Sequence, residues 1–154
     1  MPSSIDARLA ELGITLPDVP APAANYVPFV AAGGLVYVSG QVSRDANGLI
    51  LGKLGAGVAV EAGAAAARTC GLALVAVLKT ACGGDLDRVT RVVKLTGFVN
   101  SAPDFTDQPA VVNGASNLMV EIFGDKGRHA RSAVGMASLP LGVAVEVEGV
   151  FEVA

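Results

Sequence analysis

The sequence predicts an α+β domain in the order β-β-α-β-α-β-β, with two helices on one face of a sheet. Three observations carry that prediction. The last segment, Val143 to Val153, alternates: Val143, Val145, Val147, Phe151 and Val153 share one face, and Ala144, Glu146, Glu148, Val150 and Glu152 the other. The segment Val58 to Ala81 is apolar around so much of its circumference that, as a helix, it must lie across a sheet. Near the start, Gly33-Gly34 joins two β-prone runs in the manner of a two-residue hairpin.

Residues 1–154 read as one domain, in which residues 1–25 supply a short helix and a proline-rich extension. Ser4 to Leu12 is the short helix, with Ile5, Leu9 and Leu12 on one face and Gly13 as its stop. Leu16 to Pro22 is extended, because each proline removes a donor and pushes its predecessor out of the helical region. Tyr26 to Ala32 and Leu35 to Gln41 are the hairpin strands, and Asp45 to Gly48 is a turn followed by a glycine-spaced loop. In the long helix Ala64 to Ala67 give strong intrinsic propensity, Glu61 suits the first turn, Lys79 suits the last, and Gly83-Gly84 end it. Val89 to Val99 is the next strand. Asp104 or Asp107, with Pro109, opens the second helix. Its apolar positions are Val111, Ala115, Leu118, Met119 and Ile122, its polar stripe is Asn113, Asn117 and Glu121, and Gly124 closes it. The last two strands are Ser132 to Met136, with Arg131 just ahead of it, and Val143 to Val153.

Hydrophobic content of 52% against 16% charged residues, with no tryptophan, calls for a core of small aliphatic groups. It also leaves apolar surface that favours an oligomer. A net charge of −3 argues against non-specific nucleic-acid binding. Cys70 and Cys82 are too far apart along one helical stretch to pair, which makes the cytosol the expected compartment, and the N-terminus lacks a signal-peptide pattern. Arg68 and Lys79 bracket the most hydrophobic helix and argue against a membrane span.

The polar chemistry concentrates between Gly127 and Glu148. Arg131 offers a planar fork suited to a carboxylate; the competing role is a structural ion pair with Glu146 or Glu148. His129, the single histidine, is either a loop hydrogen-bonder or a base. The carboxylates of the last strand form either a solvated face or a subunit junction. One histidine and two distant cysteines give no metal-ligand cluster. No Gly-x-Ser-x-Gly is present, His129 has no evident serine partner, and the glycines at 52, 55 and 57 match no phosphate-loop pattern.

The run Ala130-Arg131-Ser132-Ala133-Val134, with Leu139-Pro140 and then Val143 to Glu148, resembles the signature of the RidA (YjgF/YER057c/UK114) family, also labelled endoribonuclease L-PSP-like. Tyr26 and Tyr37-Val38-Ser39-Gly40-Gln41 resemble its other marks, and the resemblance covers Tyr26 to Phe151. It implies a chorismate-mutase-like fold on a mixed sheet and a homotrimer with three clefts between subunits. It also implies hydrolysis of enamine or imine intermediates released by pyridoxal-phosphate enzymes, of the 2-iminobutanoate/2-iminopropanoate deaminase type, to 2-keto acids and ammonia. By the same resemblance Arg131 holds the substrate carboxylate and Glu146 positions the attacking water. Tyr26, Ser39, Asn113 and Ala133 contribute to substrate binding. Many members carry cysteine where this chain has Ala133, and residues 124–129 form a basic lip on a longer loop. No cofactor is expected, because a protonated imine is itself electrophilic. A glutamate beside an arginine should keep a low pKa and act as a water-orienting acceptor. The competing readings are a trimeric protein that holds a small carboxylate without turnover and, more weakly, a ribonuclease that inhibits translation.

Overall fold

The alternating segments join into one five-stranded sheet in the computed structural model, which describes residues 3–19, 21 and 24–154. In chain order the elements are α1 (Ser4–Glu11), β1 (Phe29–Ala32), β2 (Leu35–Val42), α2 (Val60–Ala81), β3 (Val89–Asn100), α3 (Gln108–Phe123), β4 (Ala130–Met136) and β5 (Val145–Val153). The sheet order is β1-β2-β5-β3-β4, antiparallel throughout except for the parallel pair β3/β4. The sheet is therefore mixed, and β1 and β4 are its edges.

Both long helices lie on one face. Beneath them sit Val36 and Val38 of β2, Val92, Leu95 and Val99 of β3, and Val145, Val147 and Phe151 of β5, all buried. The valine face expected of the last strand is the covered one. The helices approach each other closely because small residues meet there: a Cβ at Gly114 of α3 would collide with the Ala64 carbonyl of α2 and lie 3.1 Å from the Ala64 Cα. In α2, ten residues from Gly63 to Leu78 are buried. Its mean hydropathy of 1.4 over an 18-residue window would suit a bilayer by composition, so Arg68 and Lys79 do not exclude a span as expected. Half of that window is nevertheless buried inside the fold, as in a core helix.

The hairpin turn is as expected: Gly33 and Gly34 both have positive φ, 59° and 79°, the pairing of a type I′ turn. Asp107 is the N-cap residue of α3. Helix α1 is held by Asp87, whose carboxylate accepts from the Ser4 and Ile5 N–H groups at 2.9 Å. Residues 14–19 carry no helix or strand, whereas Pro20 and Pro22 of the extension lie outside the described residues.

Several boundaries differ from expectation, and the one that matters most is β4, which begins at Ala130 rather than Ser132 and so takes Arg131 into the sheet ladder. β1 begins at Phe29, not Tyr26, because Pro28 has no N–H and the Val27 and Pro28 carbonyls turn to the Ser39 hydroxyl and N–H. β5 begins at Val145, because the backbone N–H of Ala144 donates to the Ile50 carbonyl, outside the sheet ladder. The loop from 44 to 58 contains short paired segments: Arg44–Asp45 with Gly48–Leu49 flanks the expected turn, and Lys53–Leu54 pairs with Gly57–Val58.

Candidate active site

Strand register decides where Arg131 points. In the parallel pair, Arg131 stands beside Leu95 and Ala133 beside Gly97, and Leu95 is fully buried under the helices. Arg131 and Ala133 therefore face α3, while Ser132 and Val134 face the other way. Because β4 is an edge, Arg131 is half-buried rather than enclosed. Its Nη1 donates to Asn113 Oδ1 at 2.8 Å and to Ser116 Oγ at 3.2 Å. Asn113 and Ser116 share a face of α3 at i, i+3 spacing. Ser116 Oγ in turn lies 2.9 Å from His129 Nε2, and His129 Nδ1 lies 2.6 Å from the Gly127 carbonyl. Burial, with help from the Arg131 and Arg91 charges and against the Gly127 hydrogen bond, holds the His129 pKa below its ordinary value.

Among the described residues no carboxylate pairs with Arg131. The structural ion pair with Glu146 or Glu148 is thus overturned, because those side chains leave β5 on the opposite face of the sheet. The expectation that His129 lacks a serine partner is also overturned, since Ser116 fills that place.

Glu146 stands in register with Val42 of β2 and Phe98 of β3, between buried Val145 and Val147, and so points to the uncovered face. It fits there because the register of β2 shifts between Val38 and Gln41 and because Gly40 has no side chain. A Cβ at Gly40 would collide with Glu146 Oε1 and come within 3.1 Å of its Cδ. Burial first, and the Glu148 charge second, push the Glu146 pKa above its ordinary value. Within one chain the low pKa expected of a glutamate beside an arginine is not found, because Arg131 lies across the sheet and the charge that acts on Glu146 is the like one of Glu148.

Ser39 belongs to this second group. Its hydroxyl donates to the Val27 carbonyl at 2.7 Å, tying the pre-strand loop to the bulge. Tyr26, 58% exposed, stands at that loop, and Val30 and Tyr37 are exposed cross-strand partners beside it. Ala133 packs its methyl partly against the core, two residues along from Arg131.

The candidate residues of one chain therefore fall into two separate groups. Arg131, Asn113, Ser116, His129 and Ala133 meet at the β4 edge under α3. Gly40 and Glu146 meet on the uncovered face at the β2 bulge, where Ser39 ties down the loop that carries Tyr26 and Val27. Arg131 and Glu146 cannot close on one small molecule within a single chain. Among the described residues no group of three or more His, Cys, Asp or Glu side chains could hold a metal. Ser116 and Gly40 were missed in sequence. Ser116 carried one readable sign, its position three residues after Asn113.

A protein-family model described as "YjgF/chorismate_mutase-like, putative endoribonuclease" matches residues 6–151. The chain is 53% identical to Protein TCP17 of Trypanosoma cruzi over 150 residues, 96% of this chain and 93% of that one. It resembles the crystal structure of Atu1372, a protein of unknown function from Agrobacterium tumefaciens, at 46% identity and a TM-score of 0.90, covering 97% of this chain and 92% of the other. A "putative endoribonuclease" of Shewanella oneidensis MR-1 superposes with a TM-score of 0.92 at 35% identity, covering 98% of this chain and 100% of the other.

Proposed function

The chain belongs to the RidA/YjgF family, and on that premise we propose that it hydrolyses reactive enamine or imine intermediates to 2-keto acids and ammonia. The observation that carries the proposal is Arg131: a half-buried guanidinium at a sheet edge, aimed by two neutral oxygens and paired with no carboxylate among the described residues. Such a group favours a small anion, and its remaining N–H donors suit a bidentate carboxylate. Glu146 is the complementary half. Its raised pKa brings its basicity nearer the working pH, as a proton acceptor for water requires.

In this reading the site is completed between subunits of a homotrimer, where Arg131 of one chain meets Glu146, Ser39 and Tyr26 of a neighbour. The exposed Tyr26, Val30, Tyr37 and Val134 provide apolar surface that such packing would cover. Arg131 fixes the substrate carboxylate and thereby the imine carbon. Glu146 takes a proton from water as its oxygen bonds to that carbon and the C=N electron pair moves to nitrogen. Glu146 returns that proton to nitrogen, giving a carbinolamine; it then takes the hydroxyl proton as the C=O bond forms and passes it to the departing nitrogen, so the C–N bond breaks and ammonia leaves. The reaction consumes one water and needs no cofactor. Holding the reactants in this geometry is the main source of rate. Keto-acid release from 2-iminobutanoate, generated in situ by a dehydratase, tests the reading. Arg131→Ala is expected to lower kcat/KM by about 100-fold or more, the cost of leaving a bound charge unpaired. Rates equal to the buffer blank for the native protein would overturn it.

A second reading, a trimeric protein that holds a small carboxylate without turnover, is favoured by Ala133, which offers no thiol beside Arg131. Thermal stabilisation by a keto acid without ammonia release would select it. Endoribonuclease chemistry, which the family description names, has less support: the net charge is −3 and the one histidine is engaged with Ser116 and Gly127.

A further inference from the structure

We infer that Ser116 and His129 are positioning residues that aim Arg131, through a hydrogen-bond chain whose direction is fixed at both ends. The inference rests on the reading of Arg131 as the carboxylate clamp. At one end the Gly127 carbonyl can only accept, so His129 Nδ1 carries a hydrogen and donates across 2.6 Å. At the other end the Arg131 guanidinium can only donate. With the imidazole neutral, Nε2 is an acceptor and takes the Ser116 hydroxyl hydrogen across 2.9 Å. The oxygen of Ser116 is then left to accept from Arg131 Nη1 at 3.2 Å, beside the Asn113 Oδ1 that takes the same Nη1 at 2.8 Å. Two oxygens on one helix face thus hold one corner of the fork, and His129 keeps one of them an acceptor.

The anchor of this chain is itself seated on α3. Gly127 lies against the main chain of Met119 and Val120, where a Cβ would come within 2.9 Å of the Val120 Cα. The turn whose carbonyl orients His129 is therefore packed directly on the helix that carries the Ser116 hydroxyl. Protonation of His129 would reverse the arrangement: Nε2 would become a donor, and Ser116 Oγ would face two cationic donors. Its hydroxyl would then be free to bond the preceding helical turn. The charges around the ring oppose protonation, with Arg131 on β4 and Arg91 on β3 both repelling it. Helix α3 contributes only the neutral Ser116, and in the turn before β4 Asp125 is fully exposed and paired with Arg128, with Lys126 exposed beside it.

The test joins kinetics to imidazole ¹⁵N NMR, unambiguous here because the chain has a single histidine. Ser116→Ala is expected to raise KM for 2-iminobutanoate, and Kd for 2-oxobutanoate, about tenfold, the scale of one hydrogen bond to a charged group, with little change in kcat. Ser116→Thr, which keeps the hydroxyl, should restore most of that loss. In ligand-free protein the ring should be the Nδ1–H tautomer at pH 7, and Ser116→Ala and Arg131→Ala should each shift Nε2 while leaving Nδ1 in place. An Nε2 resonance indifferent to both variants, or unchanged KM and Kd in Ser116→Ala, overturns the inference while the hydrolase reading stands. Absent turnover and absent keto-acid binding in native protein would instead sink the hydrolase reading and, with it, the carboxylate role assigned to the relay.

Discussion

Replacing Gly40 with alanine tests the Glu146 half-site without touching the glutamate. The added methyl would lie 3.1 Å from Glu146 Cδ and 3.3 Å from Cγ, and in outright collision with Oε1. Carbon atoms in contact prefer about 3.5–4.0 Å, so something must retreat. The backbone at Gly40 does not have positive φ and accepts alanine. What yields is the flexible end of Glu146, by about 1 Å, and a misplacement of that size costs about 100-fold in rate, equivalent to about 2.7 kcal/mol. The cost to the fold should stay near the low end of the ~1–3 kcal/mol typical of overpacking, because a partly exposed side chain gives way rather than the main chain. Steady-state keto-acid release should therefore show kcat reduced about 100-fold with KM nearly unchanged, and thermal unfolding should remain a single cooperative transition. If Glu146 acts as described, combining Gly40→Ala with Glu146→Gln should be no worse than Glu146→Gln alone. A Gly40→Ala protein with native kcat would refute the placement of Glu146 in the reaction.

Glu146→Gln should lose activity and, in an Arg131→Ala background that removes the guanidinium proposed to approach from a neighbouring chain, gain stability at neutral pH. Below pH 4.5 both folded and unfolded chains hold the Glu146 proton; as pH rises through the elevated folded pKa, the folded chain must carry a desolvated charge and stability falls. The double variant should thus melt above Arg131→Ala at pH 8 and with a much smaller difference at pH 4, and a lower Tm at pH 8 would contradict the assignment. Gly114→Ala should destabilise by about 3 kcal/mol in denaturant titration, since main chain meets main chain and no rotamer can move aside. Cys70 and Cys82 are 0% and 2% exposed and burial pushes both thiols up, so iodoacetamide at pH 8 should label neither in the native protein and both in denaturant.

The fold was legible because its strongest signals were periodic. The β5 alternation assigned the covered face correctly, and the breadth of α2 marked it as a core helix. Glycines 33, 34, 83 and 124 set turns or ends where expected. The site was legible as a set of residues but not as an arrangement. Arg131, Ser132, Ala133 and Val134 carry no clean alternation, so neither phase of β4 announces itself; only the parallel register with Leu95 turns Arg131 toward α3. The low pKa expected of Glu146 presumes an arginine beside it, whereas within one chain the sheet separates the two. Ser116 is hard to read from sequence because the evident polar stripe of α3 runs at i+4 steps through Asn113, Asn117 and Glu121. Glu121 instead pairs with Arg68 of α2, and the site uses the i+3 step. The β1 boundary was missed because Tyr26 and Val27 have strand-like side chains, while the decisive residue, Pro28, acts through a missing donor.

The contact of Gly114 with Ala64 bears on how the two half-sites respond to heat or pressure. Gly114 sits between Asn113 and Ser116, so the two oxygens that hold Arg131 are registered to α2 by a joint with no rotatable bonds. Interiors packed in this way compress little. Glu146, by contrast, ends in a carboxylate on a rotatable side chain over a bulge at the uncovered face. On the proposed reading the backbone that carries the carboxylate clamp is the stiffer support and the carboxylate proposed to handle water the more compliant one, so thermal motion would enter the reaction chiefly through Glu146.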